Sequence, residues 1–249
     1  MSPALKPTYN EEHLHAAIIM DGNGRWASLR NLGRAEGHRA GAESLRRIVD
    51  AAPRLGIQIL TLYAFSGNNW GRPASEIRGL MKLFEDFFTA QEEAWVNQGV
   101  RVSIIGRRDR LPSSLLAAIG AVERATISGA KLHLRLAIDY SAQAVIVEAA
   151  RRFRDNQPAA SEEFSRLVAE VCHADSEDSD VDILIRTGGE RRLSDFLLWE
   201  IAYAELFFSS RYWPDFGEED LARIIDEYRR RERRFGRLKE PAEVAAVGG

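Results

Sequence analysis

LTLYAFSGNNWGRP, residues 60–73, joins a strand-like run to a polar end. Its first six residues are apolar, β-branched or aromatic, and such a run is typical of a strand that is buried on both faces. Gly, Asn, Trp, Arg and Pro then replace the apolar residues. The stretch therefore predicts a buried parallel strand whose polar end is either a plain turn or part of a binding site.

Short apolar segments alternate with longer amphipathic segments along the 249 residues of the chain. This alternation predicts a single α/β domain with a six-stranded, mostly parallel sheet flanked by helices. The predicted strands are 16–20, 57–65, 100–105, 132–138, 182–186 and 206–208. The predicted helices lie near 37–55, 74–98, 112–128, 141–154, 161–172, 195–204 and 217–234. We expect one folded domain at 13–238, surface loops at 155–160 and 173–180, and disordered ends at 1–12 and 239–249.

Composition excludes several classes of protein. Lys and Arg (34) nearly balance Asp and Glu (37), so the formal charge of −3 does not suit a protein that coats nucleic acid. A single cysteine, Cys172, excludes an internal disulfide and a cysteine-rich zinc site. The first residues show no secretory signal, and no apolar run approaches the roughly 18 residues that span a bilayer. We expect a soluble cytoplasmic protein.

Polar loops follow four of the predicted strands. In open parallel sheets, ligands bind beyond the carboxyl ends of the strands, so these loops should converge on one rim. The loops are DGNGRW (21–26), SGNNWGRP (66–73), DYSAQ (139–143) and RTGGERRLS (186–194).

The first loop matches the glycine pattern of dinucleotide binding, with Gly22, Gly24 and Ala27 after a strand. That fold needs an acidic residue at the end of the second strand, where Phe65 and Ser66 stand instead. The nucleotide hypothesis is therefore weak. The glycines better suit phosphate without a nucleoside, because they let backbone N–H groups face an anion at a helix start.

Charged residues in the loops support the same ligand. A guanidinium group can donate two parallel hydrogen bonds to two phosphate oxygens. Five arginines lie in or beside the loops: Arg25, Arg34, Arg72, Arg186 and Arg192. Taken alone, any one of these arginines could instead be an ordinary surface residue whose charge is solvated by water. Carboxylates beside a diphosphate suggest Mg²⁺, and the candidates are Asp21 and Glu205. Glu205 could equally form a surface ion pair instead of binding a metal. His38, near a candidate loop, could have a structural role instead of binding the ligand.

Longer motifs resemble the cis-prenyltransferases, the undecaprenyl diphosphate synthase family. These motifs are AAIIMDGNGRWA (16–27), GHRAG (37–41), the Phe-Ser…Asn-Trp…Arg-Pro pattern within 61–73, the Arg-Thr-Gly-Gly-Glu…Ala-Tyr-Ala-Glu-Leu-Phe-Phe pattern within 183–208, WPDF (213–216) and RERRFG (231–236). They occur in order from about residue 15 to residue 236.

The resemblance implies a fold and an activity. It implies an α/β sheet with a hydrophobic tunnel, a homodimer, and Mg²⁺ as cofactor. It also implies elongation of an allylic diphosphate, farnesyl or geranyl, with isopentenyl diphosphate to give a Z-polyprenyl diphosphate, undecaprenyl by default. A peripheral membrane contact for product release would accompany it.

The same resemblance implies roles for individual residues. Asp21 and Glu205 would bind Mg²⁺, Asp21 would also assist departure of the diphosphate, and Asn69 would accept the proton. The residues implied to bind substrate are Gly22, Asn23, Gly24, Arg25, Trp26, Arg34 and His38 for the allylic diphosphate, Ser66, Gly67, Asn68, Trp70 and Arg72 near the reacting carbon, and Arg186, Arg192, Leu193 and Ser194 for isopentenyl diphosphate. The 231–236 stretch would complete the phosphate site across the dimer. Apolar residues at helical spacing over 77–95 are mostly core, and a few would line the tunnel.

The chain departs from the family pattern at three places. Asn68 stands where the family usually has glutamate, residues 139–143 replace the usual Asn-Tyr-Gly-Gly-Arg, and Arg191 replaces a His or Gln. Substrate choice and product length are therefore open. A short-chain or irregular prenyl diphosphate is the alternative product. A non-catalytic prenyltransferase-like subunit is disfavoured, because the Asp-Gly-Asn-Gly-Arg motif is present.

Overall fold

The computed structural model describes residues 13–154, 160–174 and 180–231. Within these ranges the strands are β1 (Leu14–Ile19), β2 (Ile57–Ser66), β3 (Val100–Ile105), β4 (Leu132–Tyr140), β5 (Ile183–Arg186) and β6 (Glu205–Phe208). The helices are α1 (Asn23–Ser28), α2 (Arg34–Ala51), α3 (Ala74–Gln98), α4 (Ser113–Ala125), α5 (Ala142–Arg152), α6 (Ala160–Val171) and α7 (Glu218–Arg230). Short 3₁₀ turns cover Ala52–Leu55, Gly67–Gly71 and Trp213–Asp215.

The described strands form one sheet in the order β3-β4-β2-β1-β5-β6. Every pairing between neighbours in this sheet is parallel. The prediction of an α/β domain with a six-stranded, mostly parallel sheet is therefore confirmed, and the observed sheet is parallel throughout. Its order also places the ends of β1, β2, β4 and β5 side by side.

Alternate residues of the strands feed two cores on opposite faces of the sheet. On β1, Ala16 and Ile18 join the core that is covered by α2, α3, α4 and α7. Ala17 and Ile19 join the second core, which α5, α6 and residues 196–201 cover. Because the side chains of a strand point alternately to opposite faces, a strand that is buried on both sides reads as a continuous apolar run.

One predicted helix is wrong. Residues 195–204 form a series of turns, and Glu205 is the first residue of β6 instead of the last residue of a helix. Ser194, Asp195 and Leu197 have φ angles of 52°, 62° and 46°, which lie in the left-handed region and interrupt a right-handed helix.

The boundaries of two other elements also differ from expectation. β4 continues to Tyr140, so Asp139 belongs to the strand and not to the loop after it. The predicted loop 21–26 contains the short helix α1, which begins at Asn23. Gly56 has a φ of 75° and ends the turn after α2.

The apolar residues of α3 face the first core, as expected. Leu80, Met81, Phe88 and Trp95 are buried, and Ile77, Phe84 and Phe87 pack against them. Between α2 and α3 lies a cleft of about 460 Å³. Its lining is apolar at Pro73, Leu80 and Leu83 and polar at Arg34, His38 and Glu76, which form the charged end of the cleft through the arginine and the glutamate.

Several predicted segments lie outside the described residues. They are 1–12, 239–249, most of the loops 155–160 and 173–180, and all of the 231–236 stretch except Arg231. The domain limits 13–238 remain a prediction. In the described part of the chain, no helix has the length and apolar character needed to cross a membrane.

Candidate active site

Loops from neighbouring strands meet at the carboxyl end of the sheet. Asp21, two residues beyond β1, binds Arg186, the last residue of β5. Tyr63 of β2 donates its hydroxyl to the backbone oxygens of Tyr140, on β4, and of Ser194, in the loop after β5. The predicted convergence of four loops on one rim is therefore what the structure shows.

Asp21 is held between two arginines. Arg186 Nη2 donates to Asp21 Oδ2 over 2.9 Å, and Arg25 Nη2 lies 3.0 Å from Asp21 Oδ1. The backbone N–H of Asp21 donates to Thr187 Oγ1 at 2.9 Å, which fixes the direction of the loop. The Asp21 side chain is 27% exposed, so its oxygens remain accessible to a ligand at the rim.

Arg186 organises the loop that follows β5. Its guanidinium is nearly buried, and Nη1 donates to Ser194 Oγ at 2.6 Å and to the backbone oxygen of Arg192. The Arg192 side chain is exposed and pairs with Glu190, which also contacts Arg25. The structure thus brings Arg25, Arg186, Arg192 and Ser194 to one side of the rim.

Two glycines let the loops approach each other closely. Gly22 has a φ of 110°, and a Cβ at this position would lie 2.6 Å from Tyr212 Cδ1. Gly188 has a φ of 83°, and a Cβ there would lie 2.8 Å from Arg25 Nη2. A side chain at either position would clash and would also be strained, so both contacts require glycine.

A second cationic group lies across α1 from Asp21. Arg34 and Arg72 each reach Glu76 Oε1 at 3.2 Å, and His38 Nε2 lies 3.6 Å from the same oxygen. Burial lowers the pKa of His38, and the charge of Arg72 lowers it further, so the imidazole is neutral near pH 7. Arg34, His38 and Glu76 line the charged end of the cleft between α2 and α3, and Arg72 joins them through Glu76.

The turn after β2 is closed by its own side chains. Asn69 Oδ1 accepts from the backbone N–H of Ser66 at 3.1 Å, and Ser66 Oγ caps the backbone of Asn69 in return. Trp70 Nε1 donates to Asp139 Oδ1 at 2.9 Å. Asn68 is exposed at the tip, and Gly67 lies against Ser141 and Tyr140.

Some predicted residues lie apart from this arrangement. Trp26 Nε1 donates to Asp215 at 2.7 Å, and Arg30 covers its ring, so the indole is engaged at the outer side of α1. Asn23 packs against α2, and its buried Oδ1 accepts no hydrogen bond. Leu193 packs against the second core.

Glu205 does not meet Asp21 within one chain. Glu205 pairs with Ile183 at the start of β5, whereas Asp21 follows the end of β1 beside Arg186. Three residues of strand separate these levels, or about 10 Å. The Glu205 carboxylate accepts from Arg231.

The sequence reasoning missed Glu76 and Arg110. Glu76 begins α3 four residues after Arg72, a spacing that places the two side chains on one helix face. Arg110 lies in the loop after β3, a strand end outside the four predicted polar loops, and it pairs with Asp139. Including every strand end of the predicted sheet would have pointed to Arg110.

The donor set suits Mg²⁺ only in part. Mg²⁺ typically takes one or two protein carboxylates and completes its shell with phosphate oxygens and water. The accessible carboxylate of Asp21 beside phosphate-binding arginines fits that description. Among the described residues, no group of three or more His, Cys, Asp or Glu side chains could hold a metal by itself.

Comparisons with known proteins identify the family of the chain. Residues 19–236 match the family model described as "Putative undecaprenyl diphosphate synthase". The chain is 50% identical to isoprenyl transferase 1 of Bradyrhizobium diazoefficiens over 242 residues, covering 96% of this chain and 97% of that protein. It is 43% identical to the isoprenyl transferase of Aquifex aeolicus over 226 residues, covering 90% of this chain and 96% of that protein. The crystal structure of lavandulyl diphosphate synthase from Lavandula x intermedia, in complex with dimethylallyl diphosphate, matches with a TM-score of 0.84 at 34% identity, covering 90% of this chain and 98% of that chain.

The parallel sheet, the cationic rim and these similarities define a prenyltransferase of the cis type, and the chain belongs to the undecaprenyl diphosphate synthase family. It is an isoprenyl transferase, an enzyme that makes Z-polyprenyl diphosphates. The resemblance identified from the motifs is confirmed.

Proposed function

We propose that the enzyme joins isopentenyl diphosphate to an allylic diphosphate such as farnesyl or geranyl diphosphate at the Asp21–Arg186 rim. The observation that carries this proposal is the presence of two neighbouring cationic groups, one around Arg186 and one around Arg34 and Arg72. A Cβ on Gly24 would lie 3.3 Å from the Arg34 guanidinium, so α1 borders both groups. Two such groups suit a reaction between two diphosphates.

The allylic diphosphate would bind at the charged end of the cleft. Arg34, His38 and Arg72 would contact its phosphates, with Arg25 and the Gly22–Gly24 backbone alongside. Its prenyl chain would enter the apolar part of the cleft, along Leu80 and Leu83. Isopentenyl diphosphate would bind at Arg186, Arg192 and Ser194.

The reaction breaks the bond between the allylic carbon and its diphosphate, and it forms a carbon–carbon bond to the isopentenyl double bond. The arginines stabilise the negative charge that develops on the leaving diphosphate. Asp21 would hold Mg²⁺, which when bound supplies further charge neutralisation to the diphosphate. Asp21 also orients Arg25 and Arg186, because it pairs with both of them.

A proton leaves the isopentenyl unit as the new double bond forms. Asn69 would receive this proton or direct it, with Ser66 beside it. Asn69 Oδ1 already accepts from the Ser66 backbone, and a carbonyl oxygen keeps a second lone pair for the substrate. The apolar cleft would protect the allylic cation from water.

The first candidate for the product is undecaprenyl diphosphate, the product after which the family is named. A second candidate is a short or irregular prenyl diphosphate. It is favoured by the match to lavandulyl diphosphate synthase, whose crystal structure contains dimethylallyl diphosphate. The exposed Asn68 and the buried Asp139 are the departures that would lie near the reacting carbon, since both belong to or contact the turn after β2.

The enzyme would act as a homodimer through the β6 edge of the sheet. Leu206 and Phe208 are 42% and 39% exposed on this edge strand, and Tyr203 beside them is 64% exposed. Native proteins cover or blunt an apolar edge of this kind, and a second copy would cover it. Glu205 lies on the same edge, so any metal ligation by Glu205 together with Asp21 would require the partner's Asp21.

The enzyme would work in the reducing cytoplasm. Cys172 is the single cysteine of the sequence and forms no disulfide. Its thiol is buried, and burial raises its pKa to about 12, so it is unreactive as a thiolate at neutral pH.

Product analysis tests the proposed function. The purified enzyme is incubated with Mg²⁺, isopentenyl diphosphate and either farnesyl, geranyl or dimethylallyl diphosphate, and the products are measured by mass spectrometry. Long Z-polyprenyl products support the first candidate. Products that stop at 15 carbons or fewer from dimethylallyl or geranyl diphosphate, with no elongation of farnesyl diphosphate, support the second candidate. The absence of any condensation product would contradict both.

A further inference from the structure

β4 contains a bulge at Asp139. On neighbouring β2, Phe65 pairs with Ile138 and Ser66 pairs with Tyr140, so Asp139 is the extra residue of β4. Its φ of 53° lies in the left-handed region, which aspartate tolerates better than most residues. Bulges redirect a side chain and are frequent next to active sites. Here the carboxylate is directed to the turn that follows β2.

The Asp139 carboxylate is fully buried and binds two side chains. Arg110 donates from Nε to Oδ2 over 2.8 Å and from Nη2 to Oδ1. Trp70 Nε1 donates to Oδ1 over 2.9 Å. The Arg110 guanidinium also lies over the Trp70 ring, 5.3 Å from its centroid. Arg110, Asp139 and Trp70 therefore contact one another pairwise.

Trp70 is part of the turn that carries Asn69 and Arg72. The backbone N–H of Arg72 donates to the carbonyl oxygen of Asn69 at 3.1 Å. The Trp70 ring also packs edge-on against Phe65 at 5.4 Å, so it joins the turn to β2. A displaced indole would move the residues on either side of it.

We propose that the Arg110–Asp139 pair positions the substrate turn by fixing Trp70, and so holds Asn69 and Arg72 in place for condensation. The inference rests on the proposed function, which gives Asn69 and Arg72 their roles. Neither Arg110 nor Asp139 needs to touch substrate. A buried carboxylate requires its partners, so the loss of Arg110 should disturb the contact with Trp70 as well.

The first test compares two arginines of the same loop. Arg108 pairs with Glu123 at 2.7 Å and is 31% exposed, against 38% for Arg110, but its partner lies on α4, away from the turn. Arg110→Gln is expected to lower kcat roughly 10- to 100-fold, because small displacements of reacting groups are costly. Arg108→Gln should stay within about twofold of the wild type, as expected for a partly exposed ion pair.

Asp139→Asn provides a second variant if Arg110→Gln does not fold. It removes the buried negative charge, leaves Arg110 unpaired but 38% exposed to water, and keeps an oxygen that accepts from Trp70, so it should fold and lower kcat by a smaller factor. The proposal is overturned if the variants at positions 110 and 139 that fold have the same kcat as Arg108→Gln.

A double-variant cycle tests whether the pair acts through Trp70. In a Trp70→Phe background, Arg110→Gln should cause little further loss of kcat, whereas a full additional loss would overturn the proposal. Near-ultraviolet circular dichroism gives a readout that does not depend on activity. Arg110→Gln should remove the contribution that Trp70→Phe identifies, and an unchanged spectrum would contradict the proposal. A wild-type enzyme that makes no prenyl product would refute the proposed function and leave this spectral test in force.

Discussion

Arg186 and Asp21 join the ends of β5 and β1 through a hydrogen bond of 2.9 Å from Nη2 to Oδ2. Arg25 lies 3.0 Å from the other carboxylate oxygen, so one carboxylate pairs with two guanidinium groups. The rim therefore carries excess positive charge where a diphosphate is expected to bind. Acidic residues nearby reduce this excess of positive charge, and Glu76 is one of them.

Glu76 moderates the charge at the entrance of the cleft. Its Oε1 is 3.2 Å from both Arg34 and Arg72. We expect Glu76→Gln to bind inorganic diphosphate about three- to tenfold more tightly at low salt, because a negative charge beside the arginines is removed. Glu85→Gln on the same helix, where Glu85 pairs with Lys82, is the matched control. Calorimetry measures both, and weaker binding by Glu76→Gln would show that Glu76 orients the arginines instead.

Gly79 offers a way to shorten the product. Gly79 lines the cleft, and a Cβ added there would contact no protein atom within 4 Å. A leucine at this position should project into the space for the prenyl chain, so Gly79→Leu should shorten the product by about one or two five-carbon units. Gly79→Ala is the control for the change in helix propensity. An unaltered or longer product distribution in mass spectrometry would place the growing chain elsewhere.

Glu200 makes stability depend on pH. Burial raises the pKa of Glu200 from its ordinary 4.5 to about 7. The folded state therefore binds this proton more tightly than the unfolded state, and the resulting stabilisation is present below pH 4.5 and lost as pH rises through 7. We compare the free energy of unfolding of Glu200→Gln with that of the wild type at each pH. The difference between variant and wild type should be more favourable to the variant at pH 8 than at pH 4.5, by up to about 3 kcal/mol.

Urea denaturation of Glu200→Gln and the wild type at both pH values measures this difference. Because other groups titrate in both proteins, the comparison between the two proteins isolates Glu200. The same effect of Glu200→Gln at pH 4.5 and at pH 8 would mean that folding leaves the pKa of Glu200 at its ordinary value.

The edge strand β6 should control assembly. Phe208 is exposed on this edge, and Phe208→Glu should convert the proposed dimer to a monomer, because a charge would be buried in the interface. Ile127, which is 69% exposed beyond α4 at the opposite end of the sheet, supplies the control Ile127→Glu. Light scattering gives the mass of each variant. A dimer that survives Phe208→Glu would place the interface on another surface.

Much of the fold could be predicted because each strand has a local signature. The apolar run of β2 and its polar end identify a buried strand and the rim. The turns at 195–204 could not be predicted, because their apolar spacing is helical. Ser194 and Asp195 adopt left-handed conformations, and this segment makes hydrogen bonds to residues distant in sequence, such as that from Ser141 Oγ to Asp195 Oδ2.

The site was predictable where sequence motifs carry it and not where distant residues pair. Asp21 and Arg186 lie next to their strand ends, and the sheet order alone brings them together. The pairing of Arg110 with Asp139 depends on a bulge in β4, and no local sequence pattern predicts this bulge. Glu205 shows the converse, because its motif suggests a metal ligand whereas the register of β6 separates it from Asp21.

The rate of a single turnover by Asp21→Asn tests whether the Asp21–Arg186 rim is the active site. Asparagine has nearly the shape of aspartate but lacks the charge that pairs with Arg25 and Arg186. With farnesyl and isopentenyl diphosphates and Mg²⁺, we expect condensation at least roughly 100-fold slower than in the wild type, in a variant that circular dichroism shows to be folded at the assay temperature. A rate equal to that of the wild type would contradict the assignment of the Asp21–Arg186 rim as the active site.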